Sequence, residues 1–140
     1  MSGRRVFITG ASSGIGAALA VEYASQGAVL GLLGRRGDAL DSLIASLPDS
    51  KKHRVYVVDV RDHDAIAAAA RDFLAHAGGV DVVIANAGIS VGTLTEFAED
   101  LAVFDNIIAT NVVATAATFA PFIAAMKARR WRRWRPRWWR

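Results

Sequence analysis

Glycines at 10, 14 and 16 stand in the run Thr9-Gly10-Ala11-Ser12-Ser13-Gly14-Ile15-Gly16, directly after the apolar stretch Val6-Phe7-Ile8 and at the head of a helix-like segment. Residues without a side chain let the backbone turn sharply off a strand, bring main-chain N–H groups close to a pyrophosphate, and let the helix pack tightly on the sheet. The helix start adds unpaired N–H donors and the positive end of its dipole. A dinucleotide is the ligand such an arrangement suits. A glycine pattern alone is a weak signal and also describes a turn with no ligand, so the strand before it and the helix after it carry the argument.

A second chemical signal lies at Leu33-Gly34-Arg35-Arg36, where no acid occurs until Asp38. At the end of the second strand of a dinucleotide-binding unit, a carboxylate binds the ribose 2′-OH, whereas an arginine accommodates a 2′-phosphate. The residues therefore point to NADP(H) in preference to NAD(H). Arg35 is the first candidate for the phosphate because a guanidinium pairs with it through two parallel hydrogen bonds, and Arg36 is held in reserve. The plain alternative is a solvated loop arginine. No metal site is expected: cysteine is absent, and His53, His63 and His76 are too far apart for a local ligand motif and read as surface or helix-end residues.

The elements that must position these residues follow from hydrophobic periodicity. Val6–Ile8, Ala28–Leu33, Val55–Val58 and Val80–Ala85 read as short buried strands, the last with Asp81 as its one polar member. Between them, Ile15, Ala18, Leu19 and Tyr23 lie at helical spacing with Gly27 as a stop. Leu40, Leu43, Ile44 and Leu47 do the same, as do Ile66, Ala70, Phe73, Leu74 and Ala77, with Asp62 as N-cap and Gly78-Gly79 as the stop. Alternating strand and helix means βαβ units, an α/β class, and a parallel sheet covered on both faces.

A last helix is predicted from about Glu99 to Lys127, with Leu101, Phe104, Ile108, Val112, Thr115, Phe119 and Phe122 as its apolar stripe. No charge occurs from Asn106 to Met126 and a basic run follows, so a transmembrane helix is a rival reading. Asn106, Thr110, Asn111, Thr115, Thr118 and Pro121 count against it, because polar groups in hydrocarbon are costly.

Taken together, the T-G-x-x-x-G-x-G spacing and three further stretches resemble the short-chain dehydrogenase/reductase family from about residue 4 to about residue 128. Asp59-Val60 is similar to the family's pair that receives the adenine. Ala85-Asn86-Ala87-Gly88 is similar to its N-N-A-G stretch, with alanine in place of the first asparagine, and Asn111 falls where the family carries the asparagine of its catalytic tetrad. The resemblance implies a Rossmann-like doubly wound parallel sheet, partial, with about four strands in the order 3-2-1-4. It also implies a nicotinamide cofactor held by Gly10, Ser12, Ser13, Gly14, Ile15, Gly16, Arg35, Asp59, Val60, Asn86, Ala87 and Gly88. It further implies hydride transfer with a small carbonyl or alcohol substrate, and a homo-oligomer formed through the helix at 99–127. In the family Asn111 would hold a water that relays protons, whereas by residue type alone it reads as a polar group satisfying the helix backbone.

The family's Tyr-x-x-x-Lys pair, which supplies the acid or base at the reacting oxygen, is absent from this chain: Gly27 and Val60 follow Tyr23 and Tyr56 at that spacing. The expectation is a cofactor-binding half without turnover of its own. With 140 residues a single domain is expected, at 1–128, followed by an unrelated Arg/Trp-rich tail at 129–140. The tail holds seven arginines, every tryptophan and no acid, so the net +4 of the whole chain conceals a body of net −3.

A shifted reading frame in a GC-rich gene is one origin for such a tail. Non-specific association with nucleic acid or anionic lipid is the functional alternative. The absence of cysteine and of a secretory leader makes a cytoplasmic protein the default expectation. Two non-enzymatic readings stand beside the oxidoreductase: a dimerisation or regulatory module, and a membrane- or polyanion-associating protein.

Overall fold

The computed structural model describes residues 3–133, with side chains as far as Arg129. Four strands, β1 (Arg5–Thr9), β2 (Val29–Gly34), β3 (Arg54–Val57) and β4 (Val82–Ala85), form one parallel sheet in the order β3-β2-β1-β4. Helices α1 (Gly14–Ser25), α2 (Gly37–Ser46) and α3 (His63–Ala77) connect them. After β4 the chain runs through an irregular stretch into one long helix, made of α4 (Asp100–Ile108), a π-helical turn (Ala109–Val113) and α5 (Ala114–Arg133). This helix continues past the expected end at Lys127, and residue 128 is no element boundary. The rest of the Arg/Trp run, with the polyanion expectation attached to it, lies outside the described residues.

Strand alternation divides the core into two layers. Val6 and Ile8 of β1, with Leu30 and Leu32 of β2, pack against Ala20, Ala24, Leu40 and Leu47 of the α1–α2 layer. Phe7 and Leu33 point to the other face and meet Ile66, Ala70 and Phe73 of α3 and Phe122 of α5. Phe7 is the centre of that second layer, with ring centroids 5.7 Å from Tyr56, 5.5 Å from Phe73 and 4.8 Å from Phe122. It pairs in register with Gly31, where a Cβ would come within 2.7 Å of both the Phe7 and Phe73 rings. The missing side chain at Gly31 is thus the space those two rings occupy, and refilling it would overpack the core at a cost of roughly 1–3 kcal/mol.

Three expectations are corrected by this packing. In α1 the buried stripe is Gly16, Ala20 and Ala24, and Ile15 is 73% exposed, because small residues allow the helix to sit close on the sheet. In the long helix the buried residues are Thr110, Ala114, Thr118 and Phe122, while Leu101, Phe104, Ile108, Val112 and Phe119 are exposed. The span Asp100–Arg129 remains long and apolar enough to cross a membrane, yet its Ala114 and Phe122 pack into the second core layer. Thr118 is buried without an unmet hydroxyl because its Oγ1 donates to the Ala114 carbonyl at 2.8 Å, one turn back.

The third correction concerns His53, which is buried and not a surface residue. Its Nδ1 accepts from the Leu30 N–H at 3.2 Å and its Nε2 lies 2.9 Å from the Pro48 carbonyl, an arrangement that suits the neutral imidazole protonated on Nε2. Burial lowers its pKa below 6.5; the Pro48 hydrogen bond is the main opposing effect, and Lys52 lowers it a little further. The unfolded chain therefore takes up the proton at higher pH than the folded one. Stability is full above about 6.5 and is lost as pH falls below that value toward the folded-state pKa. Urea unfolding at pH 7 and pH 5 is expected to show a lower midpoint at pH 5, and His53→Gln is expected to flatten that difference.

Candidate cofactor site

At the carboxyl ends of the strands lies a cleft of about 650 Å³. Among its lining residues are Gly10, Ser12, Ser13, Arg35, Asp59, Val60, Asn86, Ala87 and Gly88, drawn from the ends of all four strands. Gly14, Ile15, Gly16 and Asn111 are not part of its wall. Gly14 and Gly16 stand at the start of α1, directly after the lining residues Ser12 and Ser13.

The turn is built on close contact. Gly10 has φ +65 and Gly14 has φ +57, both in the left-handed region that glycine adopts without strain. A side chain at Gly10 would also come within 2.8 Å of Ala87 Cα. A side chain at Gly16 would collide with the Gly10 carbonyl and lie 2.6 Å from Asn86 Nδ2. Gly14 differs from these two: nothing lies within 4 Å of the place its Cβ would take.

Asn86 holds the turn from the neighbouring strand by donating its Nδ2 to the Gly10 carbonyl at 3.1 Å. Thr9 Oγ1 accepts from the Asn86 and Ala87 N–H groups at 3.1 and 3.2 Å, and the Ala11 N–H donates to Leu33 of β2 at 3.1 Å. These bonds do not involve a side chain at position 85, where Ala85 simply pairs with Thr9 in the ladder.

Three arginines and one acid give the cleft its charge. Arg36 donates to the Ser12 carbonyl and hydroxyl at 3.2 and 3.4 Å, while Arg35 is exposed and makes no hydrogen bond among the described residues. Arg61 grips Asp59 through Nε and Nη2, with a shortest contact of 2.6 Å, and also donates Nη1 to Asn106 Oδ1 at 2.7 Å. The Arg61 hydrogen bonds hold the Asp59 carboxyl at about 2, against an ordinary 3.8, with burial the main opposing effect and Arg35 adding a smaller attraction. Sequence reasoning did not name Arg61, and took Asn106 only as one of the polar residues against a membrane span. A signal for Asn106 exists: with Thr110 it forms a polar pair four residues apart on one side of the helix, and both line the cleft.

Asn111 lies in the π-helical turn, and both ends of its side-chain amide bond to one residue of the segment after β4. Its Oδ1 accepts from the Ile89 N–H and its Nδ2 donates to the Ile89 carbonyl, both at 2.8 Å. The wider turn and this clamp fix where the chain leaves β4, and Oδ1 would lie 3.3 Å from a Cβ at Gly88.

A sequence profile described as short chain dehydrogenase matches residues 4–133. The chain belongs to the short-chain dehydrogenase family. It is 43% identical over 93 residues to an uncharacterized oxidoreductase of Mycobacterium tuberculosis, covering 64% of this chain and 36% of that protein. It is 33% identical over 113 residues to a glucose 1-dehydrogenase of Gluconobacter oxydans, covering 79% of this chain and 42% of that one.

Among solved structures it resembles a short-chain type dehydrogenase/reductase from Mycobacterium marinum, with a TM-score of 0.81 and 32% identity over 91% of this chain and 52% of that one. It also resembles a 3-ketoacyl-(acyl-carrier-protein) reductase from Brucella melitensis complexed with NADH, with a TM-score of 0.80 and 26% identity over 91% and 51% of the two chains. The chain thus spans about half, or less, of the length of these relatives. The sheet order and the alternation of strand and helix are the family's fold.

The contact between α1 and the turn yields a direct expectation. Gly16→Ala forces backbone to move at the Gly10 carbonyl, so it is expected to lower stability by roughly 1–3 kcal/mol in urea unfolding, more than an exposed α1 change such as Ala18→Ser.

Proposed function

We propose that this chain holds the adenosine and pyrophosphate half of a nicotinamide dinucleotide, with NADP(H) preferred over NAD(H), as part of an oxidoreductase acting on a carbonyl or alcohol. The observation that carries this reading is the left-handed Gly14 with open space at its Cβ position, at the start of a helix whose first turn contains no acid and whose N-cap Ser13 makes no side-chain cap. First-turn N–H groups left without a side-chain acceptor, at the positive end of a helix, fit a pyrophosphate. Three arginines against one carboxylate in the cleft give it the positive field that a multiply charged ligand requires. The preference for the 2′-phosphate rests on Arg35, exposed at the end of β2, with no carboxylate until Asp38.

In this reading Asp59 accepts from the adenine amine, Val60 packs near the ring, and Ala87 and Gly88 leave room for the ribose. The cofactor supplies a hydride when bound. Delivering it usefully requires a proton donor at the substrate oxygen, and neither tyrosine serves that purpose here. Tyr23 packs against the first core layer, and Tyr56 donates to Asp72 at 2.7 Å, with burial foremost and then Asp72 pushing its pKa up. The 140-residue chain by itself is therefore a binder without turnover, and a cytoplasmic setting belongs to the same reading.

Equilibrium titration is expected to show tighter binding of NADP+ than of NAD+. Arg35→Ala should remove most of the difference, a loss on the order of 1–3 kcal/mol as for other charge-assisted hydrogen bonds. No change in nicotinamide absorbance is expected with alcohols or carbonyls. Equal affinity for the two cofactors in the unaltered chain, or turnover by it, would overturn this reading.

A second reading is favoured by the exposed apolar face of the long helix, where Phe104 is 51%, Val112 57% and Ile123 46% exposed. Apolar residues gathered on one exposed face mark an interaction surface, and two copies of the chain joined along this helix would cover it. Light scattering is expected to give twice the monomer mass, and Phe119→Glu with Ile123→Glu to give the monomer.

A further inference from the structure

Arg61 spans the cleft in a way that nothing in the glycine turn requires. Its backbone N–H and Nε donate to Asp59 Oδ1 at 2.9 and 3.1 Å, and its Nε and Nη2 to Oδ2 at 3.2 and 2.6 Å. The remaining arm, Nη1, reaches Asn106 Oδ1 at 2.7 Å, 45 residues further along the chain. Asn106 precedes the buried Thr110 by one helical turn. Asn111 follows directly and clamps Ile89. The end of β3 and the segment after β4, on opposite sides of the cleft, are thereby joined through one short piece of helix.

This bridge contributes little to folding. The Arg61 and Asp59 side chains are 46% and 32% exposed, and ion pairs so open to water are worth little. What the bridge does is fix directions. A carboxylate offers about four lone-pair positions, and the guanidinium fork with the backbone N–H fills the near edge and one side, leaving the outer lone pair of Oδ2 aimed along a set line.

We propose that Arg61 is a positioning residue for the adenine end of the cleft: it fixes Asp59 as a ready acceptor for a purine amine and, through Asn106, couples occupancy there to the helical turn that holds Ile89. The inference rests on the dinucleotide reading above and adds to it a residue and a coupling. An acceptor held in place before the ligand arrives loses less freedom on binding, so the effect appears in affinity more than in stability.

AMP is the probe, since it carries the purine and one phosphate without the nicotinamide half. Its affinity is measured for the unaltered chain, Arg61→Ala, Arg61→Lys, Asn106→Ala and the Arg61→Ala/Asn106→Ala double variant, together with amide exchange over residues 106–113 and at Ile89. Arg61→Ala is expected to weaken AMP about tenfold and Asn106→Ala about threefold, with the double variant no weaker than Arg61→Ala, as for two residues acting through one contact. Arg61→Lys keeps the charge but lacks the fork, and is expected to behave as Arg61→Ala does. AMP is expected to slow exchange at Ile89 and at 106–113 in the unaltered chain and in neither single variant.

Should Arg61→Ala fail to fold, Arg61→Lys and Asn106→Ala carry the same comparison. Unchanged AMP affinity in the Arg61 variants, additive losses in the double variant, or protection that survives without Arg61 would each overturn the proposal and leave the dinucleotide reading standing. A chain that neither AMP nor NADP+ saturates would remove the dinucleotide reading and this one with it.

Discussion

Helix α1 comes down on the turn after β1 with no side chain between the Gly16 backbone and the Gly10 carbonyl, and the rest of the molecule is arranged around that contact. Asn86 reaches into the same point from β4, Thr9 returns two hydrogen bonds to the β4 end, and Ala11 is tied to β2. Three strands and one helix therefore meet where the chain has least bulk. Ala20 and Ala24 continue the small stripe begun by Gly16, so the whole helix stays close to the sheet. The cleft exists because the chain must turn away from the strand ends at this place, and its walls are the residues that make the turn possible.

The second core layer depends on the long helix in a different manner. Phe122 of α5 reaches the ring of Phe7 in the central strand, and Phe73 and Tyr56 complete an aromatic group around it. Further up the same helix the packing surface is polar at Thr110 and Thr118, and the buried Thr118 hydroxyl is satisfied by its own helix. Such a face can lie against protein without leaving unmet donors. The opposite face is almost wholly apolar and open.

Charge behaves locally in this protein. The first 128 residues carry a net −3, yet three arginines converge on the cleft where one aspartate is the opposing charge. Each arginine is used differently: Arg36 braces Ser12, Arg61 spans Asp59 and Asn106, and Arg35 stands exposed. A ligand meets this local field and not the sum over the chain.

Much of the architecture was legible without coordinates, because strands alternate with helices at clear periods and the helix signals are strong: Asp62 accepts from the Ala65 N–H, and Gly78 ends α3 at φ +71. The glycine turn was legible for the same reason, since glycine takes positive φ without strain and lets backbone meet backbone. The buried face of the long helix was not. Helical spacing identifies a core-facing side only when the other side is polar, and here both the expected stripe and its opposite are apolar or weakly polar, so packing against Phe7 and α3 made the choice.

The burial of His53 and the union of Asp59, Arg61 and Asn106 were likewise decided by tertiary structure. The ring of His53 takes a strand N–H that belongs to another element, and Arg61 and Asn106 are 45 residues apart. Local patterns of residue type determine where elements begin, end and turn. Which side chains face each other across them depends on how those elements are placed in space, and that placement minimises exposed apolar surface and unmet hydrogen bonds over the whole chain at once.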